Sequence, residues 1–129
     1  MHIAVVDPAP GSALADMARD ALHALGHAGS VLPLAPQACL EQPLPQGTML
    51  IFLRVTSMRG VHLARQVARL HPGVPLAFVS NSPEYGMEGY RLGVVDYLLE
   101  PLGPADVAGA VRRGLWVKGF HYEAGGDRL

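Results

Sequence analysis

The chain has 129 residues, 50% of them hydrophobic, a formal net charge of -1 and one cysteine. That length and apolar content suit one domain with a sizeable core. The near-neutral charge lacks the footprint of a nucleic-acid or anionic-membrane binder, Cys39 alone allows neither an intrachain disulfide nor a cysteine metal cluster, and no stretch approaches the roughly 20 apolar residues of a membrane span.

In chain order, Ile3–Val6 is a short continuous apolar run, the pattern of a strand buried on both faces of a parallel sheet. Residues 7–11 (DPAPG) break it. The N-terminal run has no basic start and no long apolar stretch, so it does not read as a signal peptide. Leu14, Met17, Ala18, Ala21, Leu22 and Leu25 recur at helical spacing from an N-cap at Ser12, with Gly26 as the stop. Val31–Leu34 is a weak second strand. Residues 35–47 are rich in Pro and Gln, with a short helix around Ala38–Glu41. Met49–Leu53 is a clear strand ending in Arg54. A helix is predicted over Gly60–Leu70, a strand over Pro75–Val79, and a helix over Ser82–Leu92 with Ser82 as N-cap and Pro83 at the first helical position. Val94–Leu99 is the fifth strand, and Pro104 opens a last helix to about Val117. Residues 1–118 form the domain; residues 119–129 read as a polar tail and candidate linker.

Strands alternating with helices imply a parallel sheet covered on both faces. Five such units in this length fit a three-layer αβα, flavodoxin-like fold with strand order 2-1-3-4-5. Its crevice lies at the carboxyl ends of the strands, beside the switch point between strands 1 and 3. Asp7 and Arg54 fall at those two ends.

Several segments, in their proper order, resemble a response-regulator receiver (CheY-like) domain. They are Ile3–Asp7, Ile51–Arg54, Leu76–Asn81, Glu84–Tyr90 and Asp96–Pro101. The resemblance covers about residues 2–117, is closest in flavour to receivers attached to LytTR DNA-binding domains, and implies a bacterial, cytoplasmic, two-component signalling module. It also identifies a degenerate phosphorylation pocket: Asp7, Pro8, Arg54, Ser80 and Glu100. In the family two adjacent acids follow strand one; here Pro8 takes the second place. Arg54 stands where the acceptor aspartate would, and Glu100 where the phosphoryl-pairing lysine would. Ser80 and the aromatic Tyr97 match the family's switch residues.

Acceptor chemistry needs a carboxylate nucleophile, a hard divalent cation held by oxygen ligands and a cation facing the phosphoryl group. Losing all three implies a non-catalytic pseudo-receiver with no metal and no cofactor. The charge pattern also suggests that the Arg54 guanidinium bridges Asp7, Glu100 or both, since its fork engages carboxylates well. The leading expectation is therefore phosphorylation-independent action by protein–protein contact in signal transduction or transcription regulation. The contact face would be the fourth helix, fifth strand and fifth helix, for a protein partner or a homodimer. An output domain beyond the tail is a further expectation, with no membrane and no direct nucleic-acid contact by this domain. The alternative is a small-molecule or anion sensor using the altered crevice around Arg54. His23 and His27 are spaced i, i+4, which suggests a metal pair only weakly without an acidic partner. No Gly-x-Ser-x-Gly elbow surrounds Ser80, and no P-loop or dinucleotide fingerprint occurs. Tyr85, Met87, Tyr90, Trp116 and Phe120 are candidates for either core or contact.

Overall fold

The computed structural model describes residues 1–8 and 13–119; the expected N-cap Ser12, Phe120 and most of the tail lie outside them. The elements are β1 His2–Val6, α1 Ala13–Ala24, β2 Ser30–Leu34, α2 Pro36–Glu41, β3 Thr48–Arg54, α3 Met58–Leu70, β4 Leu76–Ser80, α4 Gly86–Leu92, β5 Asp96–Leu99 and α5 Pro104–Val117. The five strands are all parallel and ordered β2-β1-β3-β4-β5. This is the flavodoxin-like arrangement that the alternation of elements implies.

Strand alternation divides the core in two. Ile3, Val5, Leu50 and Phe52 point to one face and pack with Leu14, Ala18 and Leu22 of α1 and Val107, Val111 and Leu115 of α5. Ala4, Val6, Ile51 and Leu53 point to the other and pack with Cys39 of α2, Val61, Ala64 and Val67 of α3, and Phe78 and Tyr85. Both faces are covered, which is why β1 and β3 read as unbroken apolar runs rather than alternating ones.

Several boundaries differ from the sequence-based ones, each for a local reason. The helix α1 ends at Ala24, and Gly26 (φ 78°) turns the chain so that the amides of Gly26 and His27 bond the carbonyls of His23 and Leu22. His27 has therefore left the helix, and the face it would share with His23 does not form. Helix α2 starts at Pro36, whose ring suits the first turn. Helix α3 begins at Met58, two residues before the expected start, because Gly60 fits inside its first turn. A Cβ at Gly60 would stand 3.2 Å from the Val55 Cα, so the missing side chain lets the helix start tight against the end of β3. The expected helix over Ser82–Leu92 divides into a 3-10 turn, Pro83–Tyr85, and α4. The Ser82 hydroxyl does cap it, accepting from the Glu84 amide at 3.2 Å. Val94 belongs to the close of α4, its amide bonding the Gly89 carbonyl, so β5 starts only at Asp96.

Candidate functional site

Four strand ends meet at one edge of the sheet. Asp7 follows β1, held by its amide bonding the Leu34 carbonyl of β2. Arg54 is the last residue of β3 and pairs in register with Val79 of β4. Ser80 closes β4, and Glu100 follows β5 with its amide on the Ser80 carbonyl at 2.8 Å. In this strand order Asp7 is one strand from Arg54, whereas Glu100 is two strands away, about 10 Å across the sheet. Only a long side chain at position 54 can reach both.

Arg54 does reach both. Its Nε donates to Asp7 Oδ2 at 3.0 Å, and a terminal guanidinium nitrogen pairs with a Glu100 carboxylate oxygen. The side chains of Arg54 and Asp7 are 14% and 6% exposed, and that of Glu100 29%. This is a largely desolvated three-charge cluster with one end open to water. Burial pulls the guanidinium pKa down, but hydrogen bonds to Glu100 and then Asp7 outweigh it, so Arg54 is held above the ordinary arginine range. One cation between two carboxylates leaves the cluster with a formal charge of -1.

The receiver resemblance implies a divalent metal at this place, and the residues present do not fit one. A hard divalent cation is held by oxygen donors, with one or two carboxylates free to face it. Here Asp7 Oδ2 accepts from Arg54, Pro8 offers no side-chain oxygen, and a permanent positive charge already stands between the two acids.

Ser80 and Tyr97 converge on a residue that the sequence marked only as a helix cap. The Ser80 side chain is fully buried, and its Oγ accepts from the Ser82 amide at 3.2 Å. The Tyr97 hydroxyl donates to the Ser82 carbonyl at 2.5 Å. The Tyr97 ring is half-buried against Phe78, centroids 6.0 Å apart and tilted by 55°. Tyr97 thus lies against the sheet, tied to the turn after β4. Beside it, Asp96 pairs with Arg113 of α5 and also accepts from the Tyr97 amide, which fastens β5 to α5.

The outer side of α4, β5 and α5 carries apolar bulk. Tyr85 belongs to the core, but Met87, Tyr90 and Leu99 are exposed, Tyr90 at 81%, and Trp116 and Val117 are exposed on α5. On the other side of Arg54, a cavity of about 330 Å³ opens between α2 and α3, with Pro8, Leu40, Arg59 and Leu63 in its wall. No motif marks this cavity beyond the Pro- and Gln-rich stretch that forms α2. Among the described residues no three His, Cys, Asp or Glu side chains gather as a metal-ligand group, and no helix is long and apolar enough to cross a membrane.

No protein-family model matches the chain. It is 29% identical over 83 residues to the transcriptional regulatory protein CreB of Escherichia coli, a match that takes in 63% of this chain and 35% of that protein. The chain therefore spans about a third of that relative's length. It superposes on a response regulator receiver protein from Pseudoalteromonas atlantica with a TM-score of 0.74 at 13% identity, over 89% of this chain and 97% of the other. A CheY-like receiver domain protein from Methanospirillum hungatei gives 0.67 at 20% identity, over 91% and 94%. The chain has the fold of response-regulator receiver domains.

Proposed function

We propose that this protein is a pseudo-receiver: a receiver-type signalling module that works without phosphorylation, in bacterial signal transduction or transcription control. The observation that carries the reading is Arg54 bonded between Asp7 and Glu100. A strand end that would offer a carboxylate nucleophile offers a guanidinium instead, and the acid beside it is already engaged. Acyl-phosphate formation has neither its nucleophile nor its cation.

With the chemistry gone, the module's output is a surface. The α4–β5–α5 face is the candidate because it combines exposed Met87, Tyr90 and Leu99 with a frame pinned by Tyr97–Ser82 and Asp96–Arg113. A pinned frame presents these side chains with little ordering cost on binding. The occupant is a protein partner or a second copy of the chain. Light scattering across concentration tests the second copy, and pull-down with the chain as bait tests the first. Loss of either association on Tyr90→Ser with an unchanged melting temperature supports the face. Unaltered association by that variant and by Leu99→Ser refutes it.

A second reading, a small-molecule sensor, is favoured by the cavity beside Arg54. Arg54 itself is a poor anion receptor, since its cluster already holds more negative than positive charge.

A further inference from the structure

We propose that the cavity between α2 and α3 binds a small carboxylate with an apolar body. Its volume of about 330 Å³ lies within the range of ligand pockets, roughly 300–1,000 Å³. Pro36, Leu40 and Leu63 supply an apolar floor, and Leu40 and Leu63 are partly buried on the core. The floor is therefore a continuation of the core that no side chain of α2 or α3 fills.

The wall carries the means to hold one negative charge. Arg59 makes no ion pair among the described residues, unlike Arg54. His62 Nδ1 faces the Arg65 guanidinium at 3.3 Å. Arginine can only donate, so Nδ1 is the acceptor in that contact. The Ser57 hydroxyl makes no capping bond to α3, and with Thr56 it borders the same opening. Among the described residues no carboxylate lines the cavity, which argues against a cation as the occupant. Of the two arginines in the lining, Arg54 is already held by Asp7 and Glu100, so Arg59 alone faces a mainly apolar floor, which suits a monoanion with a hydrophobic tail better than a strongly hydrated dianion.

The proposal is independent of the α4–β5–α5 contact reading, and its test reads different residues. An amide NMR titration of the full chain with benzoate, hexanoate, benzamide and inorganic phosphate decides it. The expected result is saturable shifts with benzoate or hexanoate, with a Kd in about the millimolar range, centred on Leu40, Gly60 and Leu63. Benzamide should bind more weakly, and Arg59→Gln should weaken the carboxylate about tenfold, as the loss of one charge-assisted contact. Leu40→Trp, which fills the floor, should abolish the shifts while keeping the dispersed spectrum of a folded chain. No saturable shift with either carboxylate overturns the proposal. So does phosphate shifting the same amides as strongly, or binding indifferent to both Arg59→Gln and Leu40→Trp. A negative result here leaves dimerisation by light scattering unaffected.

Discussion

Replacing Arg54 by alanine removes the one positive charge between Asp7 and Glu100 and leaves two carboxylates facing each other, one of them 6% exposed. Removing one partner of a buried pair costs about 3–5 kcal/mol, because the other charge stays desolvated without compensation. The open end at Glu100, 29% exposed, lets water recover part of that cost, so the lower bound, about 3 kcal/mol, is the expected loss. An unfolding entropy of about 2.1 cal/mol/K per residue gives roughly 0.25 kcal/mol per degree for a domain of this length, so the melting temperature should fall by about 12 °C. Arg59→Ala, at the second residue of α3 and without an ion pair among the described residues, should stay within about 0.5 kcal/mol, or about 2 °C. Arg54→Lys keeps the charge but not the fork and should fall between the two. Differential scanning calorimetry at neutral pH reads all three. In an Asp7→Asn, Glu100→Gln background, Arg54→Ala should cost less than about 1 kcal/mol, since the repulsion it exposes is gone. Equal shifts for Arg54→Ala and Arg59→Ala, or an undiminished cost in the neutralised background, would refute the ion-cluster reasoning.

Other outcomes follow from the same geometry. Arg54→Asp should not take up a phosphoryl group from acetyl phosphate, since Pro8 and Glu100 still deny the metal and the cation; mass spectrometry showing a phosphorylated Asp at position 54 would contradict this. Tyr97→Phe removes a hydrogen bond to the Ser82 carbonyl and should cost about 1 kcal/mol, with faster hydrogen exchange confined to the turn after β4; unchanged exchange there would count against the anchor. Burial pushes the Cys39 thiol up, so the folded chain keeps its proton where the unfolded chain gives it up. Stability from this group is full below the ordinary thiol range and declines as pH rises past about 8.5. Cys39→Ala should flatten the decline in melting temperature between about pH 8 and 9.5, and an identical slope would remove Cys39 as its source.

The fold was legible because its signals are long-range and redundant. Short apolar runs at Ile3–Val6, Met49–Leu53 and Leu76–Val79, bounded by turn residues, read as strands covered on both sides, and alternation with helices leaves few topologies. Boundaries were harder where tertiary contact overrides local rules. Gly60 looked like a helix start, yet it sits inside α3 because Val55 presses against that position. Val94 looked like strand, yet it closes α4. The cluster of Arg54 with Asp7 and Glu100 could be anticipated, since all three lie at the carboxyl ends of strands whose order places them on one edge. The role of Ser82 as the meeting point of Ser80 and Tyr97 could not, because it rests on a backbone amide and a backbone carbonyl, which no residue type advertises. The α2–α3 cavity was hidden for a similar reason: an unfilled space is set by how two helices settle, not by any motif.

The central claim is that Arg54 has replaced metal and phosphoryl chemistry at the end of β3. Amide NMR of the unmodified chain, titrated with magnesium and then with beryllofluoride, tests it most directly. The expected result is no saturable shift at Asp7, Val55, Ser80 or Leu99 at any magnesium or beryllofluoride concentration. Saturable shifts at those amides, requiring magnesium and growing with beryllofluoride, would show a working acceptor pocket and contradict the account.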